Sequence, residues 1–307
     1  MNELVTPPRR RLRRIVQTAI AATAIATVAG GFATAAQASP VPPTASTALT
    51  GTWVNVDGAS RSVKQVIVSP LRTGAVAVDA FGSCTPTLCE WGNVPALVYG
   101  SSVSAKVGTY FQSRQRFLSG GKEWSRTTLT GRVVRTAVGL RLSLRELTVF
   151  EDGSGRKNYT VTETFKRGEG QKVTKIGSSV ATYPKGTPPA MVAGMLGHWK
   201  NVASTGGLAT IAISGSVAAP VVTAAGQCSP TPCAWGARRG ITYGASISST
   251  RGATVLAPYV FSFKKTQLII HYSVIKGTAR LTVSEFNEFT DGSGRSNYAM
   301  TETFVRA

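Results

Sequence analysis

The chain has 307 residues, with 34 lysines and arginines against 14 aspartates and glutamates, a net charge of +20, and only two histidines and four cysteines. Its basic residues are dispersed and not interleaved with an aromatic stacking platform, which argues against nucleic-acid binding. No Ser-His-acid or Cys-His grouping surrounds His198 or His271, so the chain is expected to be non-enzymatic and to need no cofactor.

Residues 1–38 read as a secretory signal peptide. Arg9, Arg10, Arg11, Arg13 and Arg14 form a basic start, Ile15 to Phe32 is an Ala-rich apolar run, and Ala36-Gln37-Ala38 is an A-x-A cleavage site. The protein is therefore expected to be secreted, extracellular or cell-wall-associated, with no membrane segment after cleavage. Those five arginines and Glu3 leave with the leader, so 29 basic and 13 acidic side chains remain, a net charge of +16. Dispersed positive charge favours anionic partners, such as an anionic cell-wall polymer. Residues 39–48 form a flexible lead-in.

From there the sequence repeats itself. GTWVN at 51–55 answers GHWKN at 197–201, and CTPTLCEWG at 84–92 answers CSPTPCAWG at 228–236. Tyr99-Gly100 answers Tyr243-Gly244, and DGSGRKNYTVTETFKR at 152–167 answers DGSGRSNYAMTETFVR at 291–306. The period is too long for a solenoid. It marks tandem modules at 49–167 and 195–307, separated by a polar, Gly- and Pro-rich linker at 168–194.

Short runs with period-two alternation predict strands at 52–56, 62–69, 75–81, 95–99, 105–114, 124–134, 140–150 and 158–167. After Trp199 the second module repeats them at 208–214, 221–225, 241–243, 255–264, 267–274, 280–289 and 297–306. The fold class is all-β: two tandem antiparallel eight-stranded barrel-like domains, closure being favoured because it removes exposed edges. The Asp-Gly-Ser-Gly turns join the last two strands of each.

The cysteines form one C-x4-C pair per module, which in an exported chain predicts disulfides Cys84–Cys89 and Cys228–Cys233. No histidine lies near enough to complete a zinc site, and Asp152 and Asp291 lack the neighbouring carboxylates of a calcium cage, so no metal is expected. Trp53 and Trp199, on the first strands, read as plugs sealing one end of a barrel. Trp91 and Trp235 follow the disulfide loop, either packed on the bridge or half-exposed as a sugar-stacking surface. Arg156 and Arg295 recur in a loop with Asn158 and Asn297, serving hairpin hydrogen bonds or a ligand. Glu146 with Glu163 is the carboxylate pair left to consider for glycoside cleavage.

GTWVN at 51–55 resembles the opening strand of the avidin/streptavidin family, and G-x-W is shared more loosely with lipocalins and other calycin barrels. TETFK at 162–166 resembles that family's closing strand, where an acidic residue precedes Thr-Phe. The resemblance implies that Asn55 with Glu163, and Asn201 with Glu302, sit together at a barrel mouth as polar anchors. The whole motif order is also similar to a repeat of poorly characterised secreted bacterial proteins, which implies no activity. The expected function is binding of a small molecule or glycan at each barrel mouth, with two sites on a flexible linker raising effective concentration. The alternatives are a protein-interaction module, such as a protease inhibitor acting through the C-x4-C loop, and a structural protein held to the cell wall by charge.

Overall fold

Alternating apolar positions set which side of each strand faces inward, and the strands curl around those side chains. The computed structural model describes residues 43–72, 74–170, 173–174, 188–203 and 207–307. The expected signal peptide lies outside them, as do parts of the expected lead-in and linker. The first half contains β1 (Thr44–Ala45), β2 (Gly51–Asn55), β3 (Val63–Pro70), β4 (Val76–Gly82), β5 (Leu88–Tyr99), β6 (Val107–Gly108), β7 (Tyr110–Ser119), β8 (Lys122–Thr136), β9 (Gly139–Phe150) and β10 (Tyr159–Arg167). After β11 (Val173–Thr174), the second half contains β12 (Ala190–Met191), a short 3-10 turn (Ala193–Met195), β13 (Gly197–Asn201), β14 (Leu208–Ser216), β15 (Ala219–Gly226), β16 (Cys233–Arg239) and β17 (Ile241–Tyr243). It ends with β18 (Arg251–Gly252), β19 (Thr254–Val260), β20 (Lys264–Ile275), β21 (Thr278–Phe289) and β22 (Tyr298–Arg306).

In the first half the order β5-β4-β3-β2-β10-β9-β8-β7 closes on itself because β5 also pairs with β7, giving an eight-stranded antiparallel barrel with β11 added alongside β5. First and last strands meet as expected, with Asn55 opposite Phe165 and Trp53 opposite Arg167. In the second half the same relation puts Asn201 opposite Phe304 and Trp199 opposite Arg306. Here the sheet counts nine strands rather than the expected eight, in the order β16-β15-β14-β13-β22-β21-β20-β19-β17, and is nearly closed. The counterpart of β5 is divided at Gly240, whose N–H donates to Pro220 O of β15 at 2.8 Å. A Cβ at Gly240 would lie 2.5 Å from Val255 Cγ1, so glycine at the break leaves room for that side chain.

Each barrel encloses its own core. Trp53, Val66, Val78, Phe111, Leu142 and Phe165 fill the first, and Trp199, Ile211, Val222, Val255, Leu281 and Phe304 fill the second. Trp53 and Trp199 have no exposure, and their indole N–H groups donate to Leu49 O and Met195 O, each at 2.9 Å. Arg167 and Arg306 each lie 4.0 Å above the plug ring. Arg167 also donates to the carbonyls of Thr50, Thr47 and Ala48, and Arg306 to those of Leu196 and Gly194. This packing accounts for the glycine of G-x-W. Gly51 has φ +115° and Gly197 φ +119°, and a Cβ on either would fall on the arginine guanidinium.

The two barrels are packed on each other. Tyr99 and Leu147 of the first bury against Tyr243, Leu256, Ile269 and Phe286 of the second, within one compact unit. The backbone bonds across this contact are reciprocal. Gly100 N–H donates to Asn297 O at 2.8 Å and Gly244 N–H to Asn158 O at 2.9 Å; Ala299 N–H donates to Gly100 O and Thr160 N–H to Gly244 O, both at 2.9 Å. The contact is thus a pseudo-twofold, made by equivalent pieces of the repeat. The ends of the expected lead-in and linker are also built in, β1 pairing with β6 and β12 with β18. Within the stretch expected as lead-in, Thr44 N–H donates to Lys106 O at 2.9 Å and Ser46 N–H to Gly108 O at 3.0 Å.

Candidate functional site

Strand direction places the loops after β2, β4, β7 and β9 at the end of barrel 1 away from the tryptophan plug. This end is the mouth, and the inward positions change from apolar to polar as the strands approach it. Glu146 on β9 faces Val161, while Glu163 on β10 faces Leu144, so the two carboxyls are diagonal neighbours on one face. Glu146 has no exposure and accepts hydrogen bonds from Ser62 Oγ and from Val63 N at 3.4 Å. Burial pushes its pKa up to about 8, with the Glu163 charge adding to the rise. Glu163 accepts from Ser60 Oγ, while its Oε2 is buried with no hydrogen-bond partner among the described residues. Asn55 turns its amide into its own hairpin: Nδ2 donates to Val63 O at 2.8 Å and Oδ1 accepts from Asp57 N at 2.9 Å.

In barrel 2 the expected pair is in direct contact, Asn201 Nδ2 donating to Glu302 Oε1 at 2.7 Å and to Leu208 O at 2.7 Å. Glu302 also accepts from Gly207 N and Leu208 N, and burial still raises its pKa. Glu285, opposite Met300 as Glu146 is opposite Val161, is pushed up to about 7 by burial. Its Oε1 accepts from Asn287 Nδ2 at 2.6 Å. Beside it lies Lys264, buried, with Nζ donating to Asn287 Oδ1 at 2.8 Å. Burial holds this lysine below the ordinary range.

Aromatic rings surround both mouths. Trp91 meets Phe117 edge-on at 5.3 Å, and Trp235 meets Phe261 edge-on at 5.3 Å. Both tryptophans are half-buried, and each lies over a glycine, Gly82 or Gly226, where a Cβ would collide with the indole. The disulfides Cys84–Cys89 and Cys228–Cys233 close the adjoining loops, each with Cα atoms 5.5 Å apart. Arg156 and Arg295 are tied into their own loops, each donating to an aspartate, Asp152 or Asp291, at 2.5 Å and to a serine, Ser154 or Ser293, at 2.8 Å. Each also stacks 4.1 Å over a phenylalanine, Phe150 or Phe289. Asn158 and Asn297 accept from Phe150 N and Phe289 N, closing the same hairpins. No known protein-family model and no curated protein matches the chain.

A second concave region was not visible in the sequence. A cleft of about 180 Å³ opens between the barrels, lined among others by Tyr110, Thr130, Arg132 and Arg145 of the first and by Thr282 and Ser284 of the second. Arg145 donates to Thr162 Oγ1 at 3.2 Å, and the lining contains no carboxylate. Sequence reading also missed Ser60, Ser62, Lys264 and Asn287. The lysine had one available signal: it stands where the first repeat has Ser125. Chemically, the mouths present buried carboxyls and unmet acceptors to a hydrogen-bond donor, and the cleft presents guanidinium and hydroxyl groups to an anion.

Proposed function

We propose that the protein is a secreted, non-enzymatic binding protein whose barrel mouths take a small polar molecule or glycan unit, as the avidin-like resemblance of its opening and closing strands implies. The carrying observation is a set of buried atoms without partners among the described residues: Glu163 Oε2, Gln115 Oε1 and Ser113 Oγ in barrel 1, and Glu285 Oε2 in barrel 2. Each unmet buried polar atom costs about 1–3 kcal/mol, and native interiors hold few of them. A guest bearing hydroxyl or amine donors meets these acceptors, and Trp91 and Trp235 offer it aromatic faces. Asn55, Asn201, Arg156 and Arg295 act in this reading by holding the surrounding loops. Calorimetric titration of the mature protein against a glycan and metabolite panel tests it. Binding weakened by Glu163→Gln with Glu285→Gln supports the mouth as the site; unaltered binding refutes it.

Arg132 and Arg145 in the cleft favour a second reading, retention of the protein by an anionic cell-wall polymer. Moderate salt then releases it from the envelope, and Arg132→Ser with Arg145→Ser lowers retention. Retention indifferent to both counts against this partner.

A further inference from the structure

The two mouths differ at one chemically decisive position. In barrel 2, Lys264 Nζ lies 2.8 Å from Asn287 Oδ1, 3.9 Å from Glu285 Oε1, 4.6 Å from the Trp235 ring centre and 5.4 Å from that of Phe261. A neutral acceptor, a carboxylate and aromatic faces together make a site for a primary ammonium group. Barrel 1 repeats this shell. Glu146 occupies the place of Glu285, and Thr148, opposite Tyr159, occupies that of Asn287, opposite Tyr298. Trp91 and Phe117 reproduce the edge-on contact of Trp235 and Phe261. Ser125 faces Phe150 as Lys264 faces Phe289, so barrel 1 keeps the shell and lacks the lysine.

A separate observation also points to a guest in barrel 1. Gln115 is fully buried, faces Thr127 across β7 and β8, and has an unpartnered Oε1. Thr127 in turn is hydrogen-bonded to Thr148 at 2.8 Å. The free acceptor therefore adjoins the shell described above, and Ser113 Oγ and Glu163 Oε2 are likewise unmet. In barrel 2 the position corresponding to Gln115 is Tyr259, whose hydroxyl is already bonded to Val222 O at 2.8 Å.

We propose that the mouth of barrel 1 binds a primary ammonium group on a slim polar molecule, with Glu146, which releases its proton to solvent as the ammonium binds, as counter-charge and Trp91 and Phe117 as cation–π faces, and that Lys264 is the built-in occupant of the equivalent site in barrel 2. This rests on the mouth-binding reading and narrows it to an amine-bearing guest at one site per chain. The shared ligand chemistry can come from an aliphatic amine or an amino sugar, and the probes separate these sources.

Calorimetry on the mature full chain uses n-butylamine and glucosamine, with glucose and N-acetylglucosamine as neutral controls. The expected result is one amine site for the wild type, none for Ser125→Lys and two for Lys264→Ser. Glu146→Gln should weaken binding by roughly tenfold or more, the loss expected for a charge-assisted contact. Butylamine binding alone assigns an alkyl amine; glucosamine binding alone, or the tighter of the two, assigns an amino sugar. Neutral sugars binding as tightly as glucosamine, or two amine sites in the wild type, overturn the proposal while leaving mouth binding intact. Failure of both amines to bind the wild type overturns the proposal, whereas the mouth-binding reading is decided separately by the glycan and metabolite panel. If Ser125→Lys does not fold, the Lys264→Ser count decides: a rise from one to two supports the proposal, and an unchanged count refutes it.

Discussion

Raising the pH from 5 to 8 should destabilise this protein, and Glu285→Gln should remove a large part of that loss. Glu285 has no exposure. Burial lifts its pKa from 4.5 to about 7, although Asn287 and Lys264 both pull it down. The native state therefore keeps a proton that the unfolded chain releases, and between those two values stability falls by about 1.4 kcal/mol per pH unit. The contribution is fully present below pH 4.5 and lost as pH rises through about 7, a total of about 3 kcal/mol. Glu146, pushed up to about 8, adds a loss of the same sign and extends it to higher pH. Urea unfolding of the wild type, Glu285→Gln and Glu146→Gln at pH 5, 6, 7 and 8 reads this directly. Wild-type stability that is flat or rising over this range, or a Glu285→Gln variant with an undiminished slope, refutes the reasoning.

Gly51→Ala should cost about 1–3 kcal/mol, because it forces a side chain into φ +115° and onto Arg167. Gly58→Ala, where a Cβ meets nothing within 4 Å, should be near neutral in the same denaturation assay. Cys84→Ser with Cys89→Ser should cost about 2 kcal/mol through the small loop it opens, with an unchanged far-ultraviolet circular dichroism spectrum. Ile269→Ala, at a fully buried position between the barrels, should cost about 2–5 kcal/mol and speed hydrogen exchange at the Gly100 and Gly244 amides.

The repeat, the closing pair of first and last strands and the disulfides were legible because each leaves a local mark. The alternation of Leu140, Leu142 and Leu144 with Arg141 and Ser143 places β9 within a residue of its observed start. The first part of β5 was not legible, since the cysteine loop and Pro95 interrupt the pattern there. The strand expected at 105–114 begins only at Tyr110, because Ala105 closes a turn on Ser102 O. One expected run, 255–264, crosses a turn in which Phe261 N–H donates to Lys264 O at 2.8 Å. Apolar residues continue through that turn, so the sequence pattern places Lys264 at a strand end, whereas it starts β20. Asn55 and Asn201, and Glu302 with them, spend most of their hydrogen-bonding capacity on their own loops, which the motif pattern does not reveal. The contact between barrels was hidden for a different reason. Identity between copies shows that Tyr99-Gly100 and Asn158-Tyr159 recur, and it is silent on whether they meet within a copy or across the pair.

They meet across the pair, and each half carries both sides of the contact. A half-length chain would thus present a self-complementary surface, with its Tyr-Gly turn matched to the Asn-Tyr strand of an identical neighbour. Cutting this polypeptide between its halves should yield symmetric homodimers as well as the reassembled original, in proportions set by the differences that separate Leu147 from Phe286 and Thr160 from Ala299.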